Sequence, residues 1–168
     1  MLTERHHVRP HHTGGSVNSG NRLGIELALP LAPNEIAELL AVHYTLDIWA
    51  PAAVARTVTC CLAMDEEFVT TTTASTETDV EMKADERCFG FWAAGGYISG
   101  AAGGSTPLLN GVIPLYGYPV GRRLVWVIDN ETGSIIYPLA EIFFRRVKVG
   151  PTLANSFNIK RALHRSTP

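Results

Sequence analysis

The residues of this chain that could do chemistry are a histidine-rich amino end, three cysteines, a run of three acids and a basic carboxyl end. His6, His7, His11 and His12 are spaced closely enough to bind zinc or nickel. A metal site also needs fixed geometry and supporting hydrogen bonds. A glycine-flanked segment supplies neither, so no metal site is assigned. With Arg9 among them, partial protonation near neutral pH would make this segment more basic and suit it to a polyanion. A metal held inside a strand barrel would draw on histidines carried by strands. Only His43 falls in an expected strand, with no second histidine two residues away, so it reads as a surface or rim residue.

A nucleophile would come from Cys88, or from Ser99 or Ser105, with a histidine and a carboxylate beside it. Neither serine lies in a Gly-x-Ser-x-Gly turn. Asp65, Glu66 and Glu67 could supply paired carboxylates for glycoside chemistry, but three consecutive acids after a strand also make a solvated turn. Gly103-Gly104-Ser105 is followed by no Lys-Ser/Thr pair and no helix signal, so it does not cradle a phosphate. Trp49, Trp92 and Trp126 lie in or beside expected strands and read as core or interface aromatics. No catalytic residue, cofactor or small-molecule substrate is assigned.

The charge is unevenly spread. Between Leu23 and Glu141 fifteen acidic residues face five basic ones, whereas residues 142–168 hold no acid and six bases. Those bases are Arg145, Arg146, Lys148, Lys160, Arg161 and Arg165, an unpatterned positive cluster of the kind that makes non-specific phosphate contacts. The three cysteines are odd in number, and Cys60 and Cys61 are adjacent, so they face opposite sides of a strand. A disulfide framework is not expected. Buried structural thiols and a reducing, intracellular origin are. The amino end shows no secretory signal. The uncharged stretch from Cys88 to Gly104 is too short and glycine-rich for a membrane span.

The elements that must carry these residues are strands. The chain of 168 residues is 46% hydrophobic, with 15 Gly and 10 Pro spread along it, which favours many strands and turns over a helical bundle. Residues 1–21 lack hydrophobic periodicity and read as an arm whose deletion leaves the domain folded. Asn34 could cap a helix, but Leu40, Val42, Tyr44, Leu46 and Ile48 alternate with polar or small residues, so a strand is expected over 36–49. Further strands are expected over 22–31, 56–64, 79–83, 87–98, 111–118, 122–128, 134–137 and 141–149. The threonine run 70–78 favours extended structure, and 129–133 has hairpin chemistry. Residues 150–168 read as a basic tail with at most a short helical turn. These segments make about eight strands, and the expectation is an all-β, eight-stranded antiparallel sandwich, a single jelly roll, over residues 22–149.

This organisation, with strand segments Arg22–Leu31, Glu35–Trp49, Arg56–Met64, Arg87–Ile98, Arg122–Ile128 and Ser134–Val149 between two basic extensions, resembles the single jelly-roll major capsid proteins of icosahedral viruses. The resemblance implies a structural virion protein, made in the host cytoplasm, that self-associates into capsomers. Its partners would be other copies of itself, a second coat protein, and nucleic acid or an internal membrane met by the termini. It also implies that His6, His7, Arg9, His11 and His12 form an assembly arm. Two other classes compete: a β-sandwich module binding carbohydrate or another ligand through an exposed Trp or Tyr, and a barrel enzyme uniting His43 with Cys88 or the acids at 65–67.

Overall fold

Alternating apolar and polar residues fold this chain into strands that each give one face to a shared core. The structure, a computed structural model, describes residues 3–8, 16–18, 20–49, 56–64, 68, 70–74, 85–96, 108–131 and 135–163. Nine strands are present among them: β1 (Glu4–Val8), β2 (Asn21–Ala28), β3 (Glu35–Trp49), β4 (Arg56–Ala63), β5 (Thr70–Ala74), β6 (Cys88–Gly96), β7 (Leu108–Val120), β8 (Arg123–Asn130) and β9 (Ile135–Lys148). One helix, α1 (Pro151–Leu163), follows.

All strand pairs are antiparallel. The first sheet has the order β1-β9-β3-β7 and the second β5-β2-β8-β4-β6. With β5 set aside as an extra edge strand, the remaining eight form two four-stranded sheets between which the chain repeatedly crosses. That is the jelly-roll order, so the expected all-β sandwich is the fold.

The first sheet packs Ala37, Leu39, Val42, Tyr44 and Leu46 of β3 and Ile136, Ala140, Ile142 and Phe144 of β9 against Leu23 and Leu27 of β2, Val58, Cys60 and Leu62 of β4 and Leu124, Trp126 and Ile128 of β8. Tyr44 stacks between Trp92 and Trp126, with centroids 6.1 Å and 6.3 Å away, so aromatic rings fill the middle of the sandwich. The closeness is extreme at Gly111, where an added Cβ would lie 2.1 Å from the Trp92 indole nitrogen. Only a glycine admits that contact.

Four sequence expectations need correction. Glu4–Val8 is not an arm: it pairs with β9 from Glu4↔Phe144 to Val8↔Ala140 and supplies the first strand of the jelly roll. Val17 is also fully buried and bridges Ile136, with both backbone bonds made at 2.8 Å and 3.1 Å. The polar sequence of β1 hides this role because the strand sits at a sheet edge. Second, β8 and β9 are not a hairpin, since they lie in different sheets. Third, residues 134–137 and 141–149 belong to one strand. Ile136 points its backbone groups to the β1 side, so Pro138 does too, and it falls between the Val17 bridge and the end of β1 opposite Ala140. No ladder bond is lost there. Fourth, the carboxyl segment holds a 13-residue helix rather than a turn, started by Pro151 at a position where its missing N–H costs nothing. The strand expected over 79–83 lies outside the described residues.

Candidate functional site

The two outer faces of the sandwich differ. On the second sheet, outward residues are covered: Cys61, Ala63, Phe68, Cys88, Val125 and Val127 form a second apolar cluster. Strand β8 is therefore buried on both faces from Leu124 to Asn130. Arg87 lies 5.0 Å over the Phe68 ring while bonding to both oxygens of Asp85, its Nη2 2.6 Å from Oδ2. In the same layer, the cross-strand partners Arg22 and Asp129 form a buried ion pair at 3.0 Å. Cys60 and Cys61 divide between the two cores, as adjacent strand residues must. Burial pushes the Cys60 thiol well above the ordinary range. For Cys61, a hydrogen bond with Cys88 acts first and burial second, in the same direction.

The outer face of the first sheet is open. Along β7, Val112, Pro114 and Tyr116 project outward while Ile113 and Leu115 pack on the core. Tyr116 is 91% exposed and sits at φ 51, beside Gly117 at φ 81. Here three residues of β7, 115–117, stand against one of β3, Leu40, and the bulge pushes the tyrosine out of the ladder. Ile135 and Tyr137 are exposed at the other end of the face, where β9 begins.

The described charges on this face are met within it. Arg145 pairs with its cross-strand neighbour Glu38. Glu141 accepts from His43 Nδ1 at 2.9 Å through one oxygen, and its other oxygen lies 3.6 Å from Arg5. The adjoining end of the sheet is also tied together, because Arg146 bridges Glu4 at 2.6 Å and Glu35 at 3.8 Å. The hydrogen bond that Arg146 donates to Glu4 is the main reason the Arg146 pKa is raised.

The positions expected to contact polyanions therefore divide. Arg145 and Arg146 fasten β9 to β3 and β1, with their charges met by acids. Lys148 is exposed at the end of β9, Lys160 and Arg161 lie on α1, and Arg165 is outside the described residues. Of the histidine cluster, His6 and His7 are in β1 opposite Ile142 and Glu141, while Arg9, His11 and His12 lie outside the described residues.

His43 and Cys88 are on opposite outer faces of the sandwich, so the fold does not join them, and residues 65–67 lie outside the described residues. Among the described residues no three His, Cys, Asp or Glu side chains gather in a way that could hold a metal ion. Among them, too, no helix is long and apolar enough to cross a membrane. The open face of the first sheet is not evident from the sequence. Its signal is the run Ile135-Ile-Tyr-Pro-Leu-Ala-Glu-Ile-Phe-Phe144, apolar at both parities in a strand that a sandwich buries on one side only. No family model and no curated protein matches this chain.

Proposed function

We propose that this protein is a structural subunit that self-assembles into capsomers and a closed icosahedral shell, and that it acts as a virion protein. The observation supporting this reading is the jelly-roll order combined with a core that, among the described residues, is filled by aromatic side chains. Jelly rolls serve as capsid and lectin domains and as cupin-type enzymes. Here Trp92, Tyr44 and Trp126 fill the space between the sheets. In this reading the outer surfaces and edges carry function. The reading assigns no catalytic group, and it gives Lys148 and the α1 positions Lys160 and Arg161 the role of non-specific contacts to nucleic acid. The test is electron microscopy of the purified full chain, alone and with a polyanion. Closed particles of uniform diameter are expected, and a complete lack of regular particles in both conditions would overturn the proposal.

The exposure of Tyr116 supports a second reading, a sandwich module that stacks a carbohydrate ring on an aromatic side chain. Saturable binding on a glycan array, lost in Tyr116→Ala, would favour it over the shell subunit.

A further inference from the structure

The pairing of β1 brings together residues that lie far apart in the sequence. On β9, Glu141 stands opposite His7 of β1 on one side and opposite His43 of β3 on the other. Residues directly opposite one another on antiparallel strands share a face, so His7, Glu141 and His43 occupy one transverse row on the outer face of the first sheet. Two members of the row already meet. His43 Nδ1 lies 2.9 Å from Glu141 Oε2, and the two side chains keep 29% and 15% of their surface exposed. These two described side chains fall one ligand short of a metal site, and the register supplies the third position.

We propose that His7, Glu141 and His43 bind one zinc ion, which ties the edge strand β1 across β9 to β3. Two imidazoles and a carboxylate are a zinc donor set, with the fourth tetrahedral position left to water. Neighbouring strands are ~4.8 Å apart, so an ion above Glu141 sits one strand spacing from each histidine strand. An imidazole ring and a metal bond of ~2.1 Å cover that gap. Tetrahedral bonds of that length put two donor atoms roughly 3.4 Å apart, so His43 Nδ1 and Glu141 Oε2 need only a small movement to share an ion. The ligating nitrogen must be bare. Binding therefore leaves the His43 proton on Nε2, and releases the second proton where the ring is charged. Arg5 Nη1 lies 3.6 Å from the other carboxylate oxygen, Oε1, which leaves Oε2 to the ion.

A histidine-rich segment needs fixed geometry before it can hold a metal, and the β1–β9 ladder gives His7 that geometry. His6 stands opposite the core residue Ile142 and so falls on the other face. Strand β1 pairs with β9 alone, and the ion adds a second tie, to β3. The site does not depend on the shell-subunit reading.

The test is isothermal titration calorimetry of the full chain with ZnCl2, after dialysis against a chelator, beside His7→Gln and His43→Gln. Thermal melts without added metal check that each variant folds. The wild type is expected to bind one equivalent, and each variant to bind roughly a hundredfold more weakly, because even groups that only support a metal ligand contribute about ten- to a hundredfold. ZnCl2 should raise the melting temperature of the wild type and of neither variant. MgCl2, an ion that prefers oxygen ligands, should raise none of them. A wild type that binds no stoichiometric zinc overturns the site, as does affinity undiminished in either variant. Binding lost in His11→Gln with His12→Gln but kept in His43→Gln would assign the metal to the amino-terminal histidines and also overturn it. None of these outcomes bears on the shell subunit, which stands or falls on the particles.

Discussion

Tyr44 of β3 and Trp126 of β8 lie nearly parallel across the sandwich, with ring centroids 6.3 Å apart and planes inclined by 19°. Each belongs to a different sheet, so the pair holds the two layers in register. The Tyr44 hydroxyl also donates to the Gly90 carbonyl at 3.0 Å, which adds a polar tie from β3 to β6. Tyr44→Phe should cost about 1 kcal/mol for the lost hydrogen bond. Tyr44→Ala should cost about 3–5 kcal/mol, because it also opens a cavity between the sheets. Urea unfolding of the two variants measures the difference.

The Arg22–Asp129 pair makes a different prediction. Both residues are almost fully buried on the covered side of the second sheet. Asp129→Ala leaves a buried guanidinium without its carboxylate and should cost about 3–5 kcal/mol. Replacing both partners together, as Arg22→Met with Asp129→Leu, should recover most of that loss. Thermal melts of the single and double variants decide whether charge or volume matters at this position.

Alkaline pH should weaken the fold. Burial raises Cys60, while the Cys88 hydrogen bond and burial raise Cys61, so the folded state keeps both thiols protonated where the unfolded chain begins to ionise, near 9.0. Their contribution is complete below that pH and lost above it, at about 1.4 kcal/mol per pH unit for each thiol. Urea midpoints between pH 8 and 10 should therefore fall. The same protonation makes Cys60 and Cys61 silent to a thiol reagent until the protein unfolds.

Truncation tests the part β1 plays in the sheet. Val17→Ala removes a fully buried side chain and should cost about 2 kcal/mol. Deleting residues 1–8 strips β1 from the sheet and exposes the β9 edge, so the shortened chain should be less stable and more prone to aggregate. Differential scanning calorimetry and light scattering record the two effects. A melting temperature unchanged by the deletion would show that β1 contributes nothing to the sheet.

The basic residues should also separate by role. Arg145→Ala with Arg146→Ala should lower stability by loosening β1 and β3 from β9, while leaving retention on a polyanion column unchanged. Lys160→Ala with Arg161→Ala should reduce the logarithmic salt slope by about two and leave the melt unaltered.

Much of the fold can be read from the sequence, and the exceptions have physical causes. The alternation through β3 and β4 marks both strands because each buries one side chain in two within the sandwich. Leu124–Ile128 reads as a strand because it is apolar at both parities, and burial on both faces explains why. β1 escapes notice because an edge strand stabilised by Glu4–Arg146 and Arg5–Glu141 needs few apolar residues. The division of the basic residues is equally hidden, since Glu38 and Arg145 are 107 positions apart and meet only through the β3–β9 register. The outer face of the first sheet depends on which parity of β9 points inward. Pro138 obscures that by dividing the strand in the sequence.

If the protein assembles through its outer surfaces, sedimentation velocity of the purified full chain over a wide concentration range will reveal it. The boundary should shift with concentration from subunits to a single, much faster and uniform species. One slow boundary at the monomer mass, unchanged across that range and unchanged by an added polyanion, would contradict it.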